Sequence, residues 1–250
     1  GSEMCIRDRP LVEALNNQAG EGTYTGVFGP RFSLDFQTPS NTWPAQRVCY
    51  IYKTANFANV QSESMFSDLY PNSSVTYIEG YTGTASTFWA SGRLPFLLQA
   101  DVTIDGITVP LDFINIHTKC CSDSKDRKVA DALFLKAELD ENFDNENVIV
   151  LGDYNDYYIG SMSGGDSPYI TWWENANEDY LRAAGASIDH ISLSNELYFE
   201  HQSLTNNWSI GSTSYSDHNP ILLRLKLDEE NFNGQIVKIE NISDKGYGSA

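Results

Sequence analysis

Two short segments hold the residues with most chemistry to offer. The segment VIVLGDYND (148–156) runs an apolar stretch into Gly152, Asp153 and Asn155. Gly152 permits a tight exit from a strand, Asp153 brings a carboxylate for a hard cation or a water, and Asn155 brings an amide for a phosphate oxygen. Gly, Asp and Asn also close ordinary turns, so this segment alone reads equally as a polar turn behind a buried strand. In SDHNP (216–220), His218 is flanked by Asp217 and followed closely by the rigid Pro220. That suits a general base, whose imidazole must be oriented and made more basic by a carboxylate, although a surface loop would look similar. Ile188-Asp189-His190-Ile191 places Asp189 at a strand, from where it can supply the orienting carboxylate to His218. His117 closes the apolar run Phe113-Ile114-Asn115-Ile116, where a lone histidine is more often structural. Arg93, in Gly92-Arg93-Leu94-Pro95, is either a solvated charge or a bidentate clamp on a phosphate.

The elements that must position these side chains follow from periodicity. Residues 96–104 and 107–117 are β-branched and apolar around Asp105-Gly106, the pattern of two strands joined by a two-residue hairpin turn. Residues 47–53 (RVCYIYK) read as a further strand. Residues 124–143 carry Val129, Leu133, Leu135 and Leu139 among charges and predict an amphipathic helix of about five turns. It feeds into 147–151, a run apolar enough to be a strand covered on both faces. Residues 188–193 and 221–227 are strands that touch the motifs at their edges, and a second helix is expected within 169–184. Residues 10–18 open with Pro10 at a first helical position and predict a short amphipathic helix. Residues 57–87, rich in Ser, Thr, Tyr, Asn and Gly, read as long surface loops with at most one strand.

Strand-His117, a long helix, strand-GDYN, then IDHI, then SDHNP before a final strand is an order that resembles the endonuclease/exonuclease/phosphatase superfamily, in particular its DNase I-like extracellular bacterial members. The resemblance covers residues 10–227. It implies an α/β (α+β) four-layered sandwich, two mixed central β-sheets flanked by helices, with the site at one edge. Matched position by position, His218 resembles the general base, with Asp189 orienting it. His117 resembles a second histidine supporting the phosphate and leaving oxygen, and Asp153 and Asn155 the pair that positions water, metal and phosphate. Asp217 resembles a metal-binding carboxylate, and Arg93 an arginine facing the phosphate backbone. Gln46 stands where DNase I carries a glutamate paired to the second histidine, so His117 should hold its proton less firmly. The family's first two strands, bearing an Asn and a metal-binding Glu, are not legible before Pro10. Either Glu3 substitutes for that Glu, or the chain is N-terminally truncated with half a metal site.

Composition sets bounds on this reading. The chain has 250 residues, 41% hydrophobic and 20% charged, suited to one globular domain over 10–227. Residues 1–9 are expected to be a non-native leader without helix or strand periodicity, and 228–250 a polar tail or added edge strand, with Gln235 to Ile239 the strand candidate. No window approaches the roughly 20 apolar residues of a membrane span. The net charge of −18 disfavours nonspecific binding of a polyanion through a basic face, whereas a bound cation reverses the potential locally. Four cysteines show no zinc spacing; Cys120-Cys121 is either a vicinal disulfide or bridge to Cys49, or a pair of small apolar residues beside a strand end. The expected activity is a Mg²⁺-dependent (or Mn²⁺- or Ca²⁺-dependent) phosphodiesterase, a secreted monomeric nuclease acting on DNA or RNA without a stable protein partner. A phosphatase or sphingomyelinase-like phosphoesterase, and a catalytically impaired homologue, are the alternatives.

Overall fold

The computed structural model describes residues 4–33, 46–121, 124–170, 180–197, 208–211 and 218–225. Its centre is a six-stranded mixed sheet. In spatial order the strands are β3 (Phe57–Ser64), β4 (Phe96–Ile104), β5 (Ile107–His117), β6 (Val148–Asp153), β8 (Asp189–Ser194) and β7 (Tyr180–Ala186). All neighbours pair antiparallel except β5 and β6. The expected hairpin is present: Asp105 and Gly106 both take positive φ, 53° and 88°, the geometry that lets a two-residue turn follow the strands' right-handed twist. A single helical turn, α2 (Phe88–Gly92), precedes β4; the parallel step from β5 to β6 needs a crossover, and α3 (Lys125–Asn142) supplies it as expected.

Four layers result. On one face of the sheet, Ala130, Ala132, Leu135 and Leu139 of α3 pack with Ile114, Ile116, Val148 and Val150. On the other, Leu98, Val102, Val109, Ile149 and Leu193 meet two separate antiparallel ribbons. One ribbon is β1 (Tyr24–Phe28) with β2 (Cys49–Lys53), and the other is β9 (Trp208–Ile210) with β10 (Ile221–Leu223). Beyond the first ribbon lies α1 (Met4–Ala19), whose Asn16 both donates to Tyr24 O and accepts from Tyr24 N.

Several expectations are corrected. The last residues of the expected 169–184 helix are instead part of the strand β7: Tyr180, Leu181, Ala183 and Ala184 are buried on the sheet edge, and pairing with β8 overrides alanine's helical preference. Helix α1 starts at Met4 and contains Pro10, so the chain before Pro10 does take helical backbone. Residues 57–87 hold β3 and then irregular chain that is not merely surface: Met65, Tyr70, Ile78, Tyr81 and Ala85 are buried, because their apolar side chains cover the sheet beside α3. In α3 the buried stripe is Lys128, Asp131, Ala132, Leu135 and Leu139, while Leu133 is exposed. Cys49, Cys120 and Cys121 are not bonded to one another; Cys120 is half-buried and Cys121 exposed. Glu3, Asp217, residues 171–179 of the expected 169–184 helix and the chain from residue 226 lie outside the described residues.

Candidate active site

The register of three adjacent strands builds the site. Parallel pairing sets His117, the last residue of β5, beside Asp153, the last of β6; antiparallel pairing sets Asp153 beside Asp189, the first of β8. Residues paired across strands point to the same side of a sheet, so an imidazole and two carboxylates form a row along one edge. Gly152 is required for that row. Its φ is +133°, and a Cβ there would lie 2.0 Å from Ile116 O, inside the neighbouring strand's backbone.

His218, just before β10, completes the group from the other layer. Its Nδ1 lies 2.7 Å from Asp189 Oδ2 and its Nε2 3.9 Å from Asp153 Oδ2, while His117 Nε2 lies 3.2 Å from the same Asp153 oxygen. Asp153 Oδ2 is thus shared by two histidines, and Asp153 Oδ1 accepts from Asn155 N at 2.9 Å. These groups border a cavity of about 540 Å³ between the six-stranded sheet and the two ribbons, with Val48, Leu151, Ile191 and Ile221 as its apolar walls.

Burial and neighbouring charge divide the protons among these groups. Burial, then the Asp189 carboxylate beside it, pushes the Asp153 carboxyl up to about 6. Burial would lower the His218 pKa, but the hydrogen bond and charge of Asp189, with Asp153, outweigh it and hold the imidazole above its usual value. His117 is held well below its usual value by burial, then by the positive charges of Arg93 and His218. One histidine is therefore basic and the other neutral. Burial, rather than Gln46, leads the causes that act on His117.

Arg93 does not face the cavity. It is 3% exposed and donates from Nε to His117 O at 2.7 Å, from Nη2 to Thr118 O at 2.8 Å, and from Nη1 to Gln46 Oε1. Gln46, correspondingly, bonds to Arg93. Asn155 is also buried; its side-chain amide donates to Thr118 O at 3.0 Å. The structure thus gathers His117, Asp153, Asp189 and His218 at the cavity and sets Arg93 and Asn155 behind them as braces.

Asp153, Asp189 and His218 each offer one ligand atom, and these atoms lie within 4.8 Å of one another. Two carboxylates this close suit a hard divalent cation, and such an ion would offset the burial, and then the Asp189 charge, that raise the Asp153 carboxyl. Sequence reasoning missed Lys128 and gave Asp156 no role. At 0% side-chain exposure they form an ion pair of 2.6 Å under the GDYND turn. The signal was available: Lys128 sits at helical spacing with the apolar Ala132, Leu135 and Leu139.

No protein-family model matches the chain, and no curated protein matches it. Among solved structures, an endonuclease/exonuclease/phosphatase from Bacteroides vulgatus is 14% identical over 85% of this chain and 81% of that one, with a TM-score of 0.48. A humanized D. rerio TDP2 is 13% identical over 85% and 78%, with a TM-score of 0.47. A mannosyl-6-phosphatase from Bacteroides thetaiotaomicron is 11% identical over 81% and 69%, with a TM-score of 0.40. At such identities and scores the likeness concerns the arrangement of sheet and helices alone.

Proposed function

We propose that this chain is a divalent-metal-dependent phosphoric ester hydrolase, and that its substrate is the phosphodiester backbone of a nucleic acid. The observation that carries the reading is the Asp189–His218 dyad set beside Asp153 and a neutral His117 on one cavity wall. Asp189 accepts from His218 Nδ1, which fixes the ring and leaves Nε2 as the basic nitrogen that takes a proton from water. A positioned base of this kind contributes about 10²- to 10⁴-fold. His117, kept neutral, offers an N–H to a phosphate oxygen without adding a full charge to the cavity. Arg93 holds the carbonyls of His117 and Thr118 and so sets the angle at which β5 presents that ring. Asp153 and Asp189 would hold the cation, Mg²⁺ or Mn²⁺, which when bound neutralises phosphate charge. The sequence resemblance favours a nuclease over other phosphoesterases, and a cation offsets the chain's acidity at the point of contact.

The test is nicking of supercoiled plasmid DNA and cleavage of a single-stranded RNA, with Mg²⁺, Mn²⁺ and EDTA arms. Cleavage that needs the metal and falls by about 10²-fold or more in His218→Ala supports the reading. Absence of cleavage, together with metal-dependent release of phosphate from a sugar monoester or headgroup from a lipid, reassigns the substrate. Absence of all three activities refutes the hydrolase reading.

A further inference from the structure

The turn that carries Asn155 is held far more tightly than a strand exit requires. Asn155 is a non-glycine residue at φ 52°, a left-handed backbone that costs energy unless its surroundings enforce it. Three successive main-chain carbonyls there are taken by side chains from other elements. Tyr154 O accepts from Thr118 Oγ1 and from Tyr169 Oη, both at 2.7 Å. Asn155 O accepts from Lys128 Nζ at 2.8 Å, and Asp156 O from His190 Nε2 at 2.9 Å. Since Arg182 Nε donates to His190 Nδ1 at 3.1 Å, the His190 proton sits on Nε2. The Asp156 carboxylate receives Lys128 Nζ at 2.6 Å, Tyr157 N at 3.0 Å, Met162 N at 2.7 Å and Ser161 Oγ at 2.9 Å.

Lys128 is the one side chain in this set that touches both Asn155 and Asp156, and it reaches them from inside α3. A buried ion pair is a poor source of net stability, because desolvating two charges offsets their attraction. What this pair does supply is geometry. With Asn155 left-handed, its N–H meets Asp153 Oδ1, and the other oxygen, Oδ2, is turned toward His117 and His218.

We propose that Lys128 is a positioning residue of this site: by holding the Asn155 carbonyl and the Asp156 carboxylate, it keeps Asn155 left-handed and so aims the Asp153 carboxylate at the two histidines. The kinetic arm of its test rests on the hydrolase reading; the exchange arm does not. Lys128→Met alone would strand a buried carboxylate and unfold the chain, so the informative variant is Lys128→Met combined with Asp156→Asn. There the remaining amide oxygen still accepts from Tyr157 N and Met162 N, and the amide nitrogen donates to Ser161 Oγ. In this variant the Asn155 amide should exchange with solvent about tenfold faster or more, while the amides of Val148 to Leu151 stay within about twofold, since local opening is separate from global unfolding. Plasmid nicking should lose about tenfold or more in kcat with KM within about twofold, the mark of lost positioning. Unchanged exchange at Asn155, or equal acceleration at Asn155 and along β6, overturns the proposal. If the native protein cleaves no nucleic acid, the nuclease reading fails and the exchange result alone decides the role of Lys128.

Discussion

At the scale of single residues, the protein repeatedly uses burial to move a proton. His218 and His117 share one carboxylate oxygen, yet one is basic and the other neutral, because Asp189 contacts the first while burial and Arg93 act on the second. Asp189→Asn should therefore lower the His218 pKa and move the acid limb of the pH–rate profile to lower pH, while reducing the plateau; an unmoved limb would falsify the dyad. A second buried acid lies away from the cavity. Asp131, 0% exposed, accepts from Tyr81 Oη and Trp89 N through Oδ1, while Oδ2 has no partner among the described residues, and burial first of all pushes its carboxyl up to about 7. The folded-state value lies above the unfolded one, 3.8, so its contribution to stability is full below the unfolded value and is lost as pH rises through about 7. Melting temperature should fall between about pH 5 and about pH 8 in the native protein, and much less in Asp131→Asn, as calorimetric melts at both pH values will read.

At the scale of elements, the site depends on strand register. His117, Asp153 and Asp189 meet only because β6 pairs in parallel with β5 and antiparallel with β8 at those positions. A slip of β6 by one residue would turn Asp153 to the face opposite His117 and Asp189. Gly152→Ala tests this directly. The added Cβ meets Ile116 O and the backbone keeps a φ that L side chains rarely adopt, so a loss of about 3 kcal/mol or more is expected in urea unfolding. The pairing of β7 with β8 illustrates the reverse case. Residues 180–184 fall at the end of the expected 169–184 helix, and the presence of β8 as a partner makes them a strand.

At the scale of the whole molecule, charge is the dominant property. A net charge of −18 on 250 residues repels itself, so added salt should raise the melting temperature, by screening over the Debye length of about 10 Å at 0.1 M. A melt series from low to high NaCl checks it, and a falling temperature would place the stabilising electrostatics in ion pairs instead. The hairpin of β4 and β5, the crossover helix α3, the strands β2, β6, β8 and β10, and the residues His117, Asp153, Asp189 and His218 are legible in the local sequence. Each of these is announced locally, by apolar periodicity, by turn residues, or by a polar side chain at the mouth of an apolar run. Only the closed chain settles that Arg93 bonds to backbone carbonyls, that β7 is a strand, that Tyr70 and Tyr81 are core, and that Lys128 lies under the GDYND turn. Those outcomes depend on what a residue meets after the chain has closed, across separations of 24 positions for Arg93 and 27 for Lys128, and local composition carries no record of such partners.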